Sequence, residues 1–255
     1  MTKAIFFDVD GTLISHGQKA VPATARTALE QLSAKGIKRV LATGRHMLEL
    51  SMLPVKDIAF DGYITLNGQL CLDEQSNIVS GNPITGQSKA QILRLFHDRT
   101  IPIVLVEKDR LYINFVNAHV EFAQKAVSTP IPAVGAYTGN EIYLAVAYLE
   151  RERDLSDLLP GCAITRWNDY AVDIIAATGG KTAGIREYCR INNIKQEETM
   201  AFGDGENDMD MLKYVHIGVA MGNADPCVKE IADHVTGPVD GDGILEALTV
   251  LGVIP

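Results

Sequence analysis

Four short stretches hold most of the reactive side chains that this sequence can bring to one place. They are Asp8-Val9-Asp10-Gly11-Thr12, Ala42-Thr43-Gly44-Arg45, Gly180-Lys181-Thr182 and Gly203-Asp204-Gly205-Glu206-Asn207-Asp208. Together they offer several carboxylates, a hydroxyl, an ammonium and an amide. Clustered carboxylates suit a hard cation such as Mg²⁺, which prefers oxygen ligands and keeps some of its waters. A hydroxyl, a lysine and the N–H groups of a loop suit phosphate oxygens.

Each stretch alone has a plainer reading. Asp-Gly is an ordinary turn signal. Thr43 alone is a turn residue, and Lys181 alone is a solvated lysine at a helix start. Neither acidic stretch is a calcium loop, which needs Gly at its sixth position and Glu at its twelfth. Counted from Asp8 those positions hold Leu13 and Lys19, and counted from Asp204 they hold Met209 and Val215. Gly180-Lys181-Thr182 looks like the end of a P-loop, but the earlier glycine is replaced by Ile175.

The elements that must position these stretches follow from the pattern of apolar residues. Ala4 to Phe7 is a short apolar run that predicts a buried strand, opening directly into the first acidic stretch. Pro22 and Gly36 bracket a helix. Strands follow at Ile37 to Ala42 and Gly62 to Leu66, with a short helix between them stopped by Pro54. Asn67-Gly68 turns the chain into a hairpin reaching Ile78-Val79. This β-α-β-α-β alternation predicts a parallel sheet covered by helices. Open sheets of that kind bind ligands at the carboxyl ends of their strands. Three of the four stretches follow such strands, and the third opens a helix.

The rhythm changes near Asn82-Pro83 and returns at Lys181. In between, the pattern predicts an amphipathic helix over Ser88 to Thr100, a hairpin about Lys108-Asp109-Arg110 and a helix over Ala118 to Val127. It also predicts a strand over Glu141 to Tyr148, a helix over Glu150 to Leu159 and two closing strands. Hairpins mixed with helices indicate an α+β unit. After Lys181, helices and strands alternate again to the end. The expected fold class is therefore α/β, a Rossmann-like parallel-sheet core with an inserted α+β domain. The core spans residues 1–81 and 178–255, and the insertion spans residues 82–177.

The chain has 255 residues and a formal charge of -9. No basic run is present, so nucleic acid is not an expected partner. An acidic protein that handled a phosphorylated substrate would need a cation to offset the repulsion. Cys71, Cys162, Cys189 and Cys227 lack zinc or redox spacing. No apolar stretch approaches the roughly 20 residues of a membrane span. Asp8 and Asp10 interrupt the apolar N-terminal run, so no secretory signal is read there. With thiols read as reduced, the expected location is the cytoplasm. His16, His46, His97, His119, His216 and His234 show no paired metal spacing and read as structural or surface residues.

In order and spacing, the four stretches resemble the haloacid dehalogenase superfamily of aspartate-nucleophile phosphatases. The insertion between the second and third resembles the C2-type cap of its Cof-like (type IIB) subgroup. The resemblance implies that Asp8 is the nucleophile, forming an aspartyl phosphate, and that Asp10 is the general acid and then base. It implies phosphate contacts from Thr43, Gly44, Lys181 and Asn207. It implies a Mg²⁺ site made by Asp8, the Asp10 carbonyl and Asp204, with Asp208 supporting the metal's waters. Arg45 either contacts substrate or neutralises the acidic rim. Asn67 either shapes the site or only makes its turn.

The implied activity is hydrolysis of small phosphorylated metabolites, such as sugar phosphates, under a cap that closes over the acids. Arg110, Tyr143, Trp167 and Asn168 are candidate specificity groups in that cap. A hexose-phosphate mutase with the same nucleophile remains an alternative, separable by its products. A phospho-accepting signalling module would hold its phosphate without turnover, and the insertion argues against it. Against a non-catalytic relative stand the intact Asp8, Asp10, Lys181 and Asp204.

Overall fold

The computed structural model describes residues 1–15, 17, 19–127 and 129–255. His16 lies outside the described residues. By its internal contacts the chain divides into two compact units, Met1–Ser80 with Gly180–Pro255, and Gly81–Gly179.

The first unit is built on β1 (Ala4–Phe7), whose four residues are all buried. The chain continues through α1 (Ala23–Ala34), β2 (Lys38–Ala42), α2 (Met47–Leu50), β3 (Gly62–Thr65), β4 (Leu70–Leu72) and β5 (Ile78–Gly81). The second unit contains α3 (Gly86–Asp98), β6 (Ile103–Val106), β7 (Leu111–Ile113), α4 (Ala118–Ala126), β8 (Leu144–Tyr148), β9 (Cys162–Asn168) and β10 (Ala171–Ala176). The first unit resumes with α5 (Lys181–Ile191), β11 (Thr199–Gly203), α6 (Met209–Tyr214), β12 (Ile217–Ala220), α7 (Pro226–Ile231), β13 (His234–Val235) and α8 (Gly243–Val250).

The sheet of the first unit has the order β13-β12-β11-β1-β2-β3-β4-β5. β1 pairs in parallel with both β2 and β11. The chain thus builds outward from β1 in one direction, then returns to its other side and builds the opposite way. The carboxyl ends of β1 and β11 flank that switch point, where open sheets place their ligand crevice. The two faces of β1 feed separate apolar layers. Ile5 and Phe7 pack with Leu29 and Leu32 of α1 and Ala247 and Leu248 of α8. Ala4 and Phe6 pack with Ile185 and Tyr188 of α5 and Leu212 of α6. Burial on both faces explains why this strand reads as a continuous apolar run.

The sheet is parallel through its centre, but its β3–β4 edge is antiparallel. The cause is the turn after Thr65. Leu66, Asn67 and Gly68 all take positive φ, of 53°, 53° and 87°, and reverse the chain within a few residues.

The second unit has an antiparallel sheet in the order β7-β6-β8-β10-β9. Ile92 and Phe96 of α3 pack on one apolar cluster with Ile103, Leu105, Ala145 and Ile174. The helix expected over Glu150 to Leu159 is absent, and only a short 3-10 turn forms at Ser156–Leu158. Glu150 to Asp154 offer no apolar face to dock. Asp154 instead accepts hydrogen bonds from the Ser156 N–H and hydroxyl at 2.9 and 2.7 Å, a local closure that competes with helix. The strand expected from Glu141 begins only at Leu144. No helix among the described residues is long and apolar enough to cross a membrane.

Candidate active site

Asp8 is the first residue past β1, and its N–H still donates to the Phe202 carbonyl of β11 at 3.0 Å. This ladder bond sets the carboxylate at the carboxyl end of the two central strands. Asp8 is buried, as are Lys181 and Asp208. Lys181 Nζ donates to Asp8 Oδ1 and to Asp208 Oδ1, each at 2.6 Å. The lysine can reach both because Gly180, at φ 118°, swings the chain into α5, and its N–H is tied to the Asn67 carbonyl at 3.1 Å.

Asp208 is oriented by the loop after β11. Its Oδ2 accepts from the N–H groups of Asp204 and Gly205 at 2.9 and 3.0 Å. Asp204 accepts from the Thr12 hydroxyl at 2.9 Å and from Asn223 Nδ2 at 3.3 Å. One carboxylate oxygen from each of Asp8, Asp204 and Asp208 lies within 4.8 Å of the others. Gly11, at φ 79°, makes room for this cluster, since a Cβ there would sit 2.1 Å from Asp204 Oδ2.

These contacts decide the electrostatics. Burial pushes the Asp8 carboxyl up to about 8; Lys181 works against the shift, and Asp208 and Asp204 add to it. Burial acts to lower the Lys181 pKa, but Asp208 and Asp8 outweigh it and hold the ammonium charged well above its ordinary range. Asp8 and Asp208 thus share one ammonium, while Asp204 is held by Thr12 and Asn223. The three carboxylates present hard oxygen donors at short range, which is the donor set a divalent cation such as Mg²⁺ takes.

Asp10 has a different partner. Arg45 grips it at two points, Nε to Oδ2 at 2.5 Å and a terminal nitrogen to Oδ1 at 2.8 Å. The Asp10 side chain therefore stands outside the carboxylate trio. Burial would lower the Arg45 pKa, but its bonds to Asp10 more than compensate and raise it. Arg45 also lies 3.8 Å from Glu49. Arg45 thus pairs with two carboxylates, and the Thr43 hydroxyl accepts from its backbone N–H at 3.2 Å.

Thr43 is buried at the end of β2, and its carbonyl accepts from the Asn67 N–H at 3.0 Å. A Cβ on Gly44 would lie 3.0 Å from Asn67 Oδ1. Asn207, which is exposed, donates to the same oxygen at 3.5 Å. Thr43 and Asn207 are therefore bonded to Asn67, and Gly44 lies against its side chain. Thr12 and Asn223 are participants that the motif reading gave no role. Thr12 stood within the first acidic stretch, and Asn223 follows a predicted strand of the same sheet, so position was the available signal for both.

In the second unit, each candidate specificity group has a local partner. Arg110 lies over the Tyr112 ring at 4.7 Å. Tyr143 is buried and donates to Glu141 at 2.5 Å. Trp167 Nε1 donates to Asp173 at 2.8 Å, and Asn168 accepts from the Tyr170 N–H at 3.1 Å.

Comparison with known proteins agrees with the motif order. The profile of a family described as haloacid dehalogenase-like hydrolase matches residues 5–248. YkrA of Bacillus subtilis is 31% identical over 257 residues, covering 99% of each chain. The structure of BT1666 from Bacteroides thetaiotaomicron, described among phosphatases of that superfamily, superimposes with a TM-score of 0.90 at 33% identity. It covers 100% of this chain and 96% of its own. BT4131, described as a subclass IIB sugar phosphatase, superimposes with a TM-score of 0.85 at 34% identity, covering 99% of this chain and 100% of its own.

Proposed function

The chain belongs to the haloacid dehalogenase-like hydrolase family, and we propose that it is a Mg²⁺-dependent phosphatase of small phosphorylated metabolites, sugar phosphates among them. The observation that carries this reading is the set of buried Asp8, Lys181 and Asp208 with half-buried Asp204 at the switch point of the sheet. The sugar-phosphate class is supported by likeness to BT4131.

Asp8, Asp204 and the Asp10 carbonyl would hold the cation, with Asp208 supporting its waters. When bound, Mg²⁺ supplies positive charge that lets a carboxylate and a phosphate approach each other. Asp8 attacks phosphorus, and the bond from phosphorus to the ester oxygen breaks. Asp10 gives its proton to the departing alcohol. Water then attacks the aspartyl phosphate, Asp10 takes a proton from it, and Asp8 is restored as free phosphate leaves. Dividing one displacement into two lowers the barrier of each. Thr43, the Gly44 loop, Asn207 and Lys181 hold the phosphate oxygens, which is the positioning that phosphoryl transfer chiefly requires. Arg45, bonded to both Asp10 oxygens, orients that side chain. Residues 82–177 act as the cap that excludes water and selects the leaving group.

The test is phosphate release from an aryl phosphate with Mg²⁺, with EDTA, and with Asp8→Asn. Activity that needs Mg²⁺ and vanishes in the variant supports the reading. Full activity in Asp8→Asn contradicts it.

A further inference from the structure

Asn223 lies in the loop that follows β12, and backbone bonds zip this loop to the Asp204 loop. The Met221 N–H donates to the Gly203 carbonyl at 3.0 Å, and the Asp225 N–H donates to the Asp204 carbonyl at 3.4 Å. Between these ties, the Asn223 side chain reaches three partners. Nδ2 donates to the Gly11 carbonyl at 2.8 Å and to Asp204 Oδ2 at 3.3 Å, while Oδ1 accepts from the Val239 N–H at 2.8 Å. Thr12 holds the other oxygen of Asp204 from the opposite loop. The Asp204 carboxylate is thus gripped on both oxygens, by donors from different segments.

We propose that Asn223 is a positioning residue for the divalent-cation site. It fixes the rotation of the Asp204 carboxylate, and it fixes the loop carrying the Asp10 carbonyl by holding the next carbonyl, that of Gly11. The Gly11 N–H is fixed in turn by the Ile14 carbonyl at 2.9 Å, so both peptides around Gly11 are pinned. Partners of this kind set the orientation of metal-binding oxygens without touching the metal. The proposal rests on the reading that Asp204 is a cation ligand. The bland competitor is that Asn223 only straps the loop containing Val239.

The experiment measures Mn²⁺ binding to the metal-free protein by electron paramagnetic resonance of the free ion, alongside the melting temperature. The variants are Asn223→Ala, Asn223→Asp and, as reference, Asp204→Asn. Asn223→Asp keeps the acceptor for Val239 but turns the donor side into another acceptor. Positioning predicts that both Asn223 variants weaken Mn²⁺ binding by about 10- to 100-fold. It also predicts that saturating Mg²⁺ recovers most of kcat. A strap alone predicts a lowered melting temperature with unchanged Mn²⁺ affinity, and that result overturns the proposal. If Asn223→Ala does not fold, Asn223→Asp decides alone, and unchanged or tighter binding overturns it. Should Asp204→Asn itself leave Mn²⁺ binding unchanged, the cation-site reading fails and this inference with it. Should Asp204→Asn weaken binding while the Asn223 variants do not, only this inference fails.

Discussion

The first unit places Asp8 among two further carboxylates and a single ammonium, whereas the second unit buries Glu107 among hydroxyls and an amide. Glu107 accepts from the Tyr112 and Thr138 hydroxyls at 2.6 Å each and from Asn140 Nδ2 at 2.9 Å. Burial acts to raise its pKa, but these bonds, with Arg110 nearby, outweigh burial and hold it below the ordinary value. Asp8 is pushed the other way, up to about 8. Both are buried acids at the ends of strands. One has enough donors to remain an anion at little cost, and so it braces a fold. The other is desolvated beside further carboxylates that its one ammonium does not offset, and so it is poised for a cation and an electrophile.

Removing the single ammonium should have the largest effect. Lys181→Met leaves Asp8 and Asp208 without the buried ammonium they share, and breaking such a pair costs about 3–5 kcal/mol. Urea unfolding without metal should show that loss, and added Mg²⁺ should recover part of it. A stability equal to the parent's would mean that the trio does not carry the charge described.

Asp10→Asn acts on the acid that Arg45 grips. Phosphatase activity should fall about 10²- to 10⁴-fold. The drop should be steepest for alkyl phosphates, whose leaving groups need a proton most. Equal losses for aryl and alkyl esters would remove Asp10 from the proton-transfer role.

The smallest effect belongs to the braced acid. Glu107→Gln should cost about 1–3 kcal/mol at neutral pH and leave the Mg²⁺ requirement untouched. Because the folded-state pKa of Glu107 is depressed, its contribution is present above the unfolded carboxylate pKa. It is lost as pH falls through the folded value. The parent and Glu107→Gln should therefore converge in stability in acid. A gap that widened there would contradict the bracing role.

The central site was legible because its residues stand at strand ends of a sheet whose central strand is buried on both faces. An apolar run ending in acids can be read without knowing what lies beside it. The partners of Asp204 were harder, since Thr12 and Asn223 reach it from positions 192 and 19 residues away. Such bonds depend on how loops meet, which no local pattern encodes. The two-point grip of Arg45 on Asp10 is of the same kind. In the second unit, Glu150 to Leu159 looked helical by composition, yet Asp154 closed a local turn instead. The antiparallel edge of the first sheet was visible in Asn67-Gly68, although Asn67 also bonds to Thr43 and Asn207.

The most direct test of the account is to quench the enzyme in acid during turnover of an aryl phosphate with Mg²⁺ and map the phosphorylated peptide by mass spectrometry. The account predicts one acid-stable, base-labile phosphoryl group on Asp8, absent in Asp8→Asn. Steady turnover with no phosphoryl group on the protein, or one attached elsewhere, would contradict it.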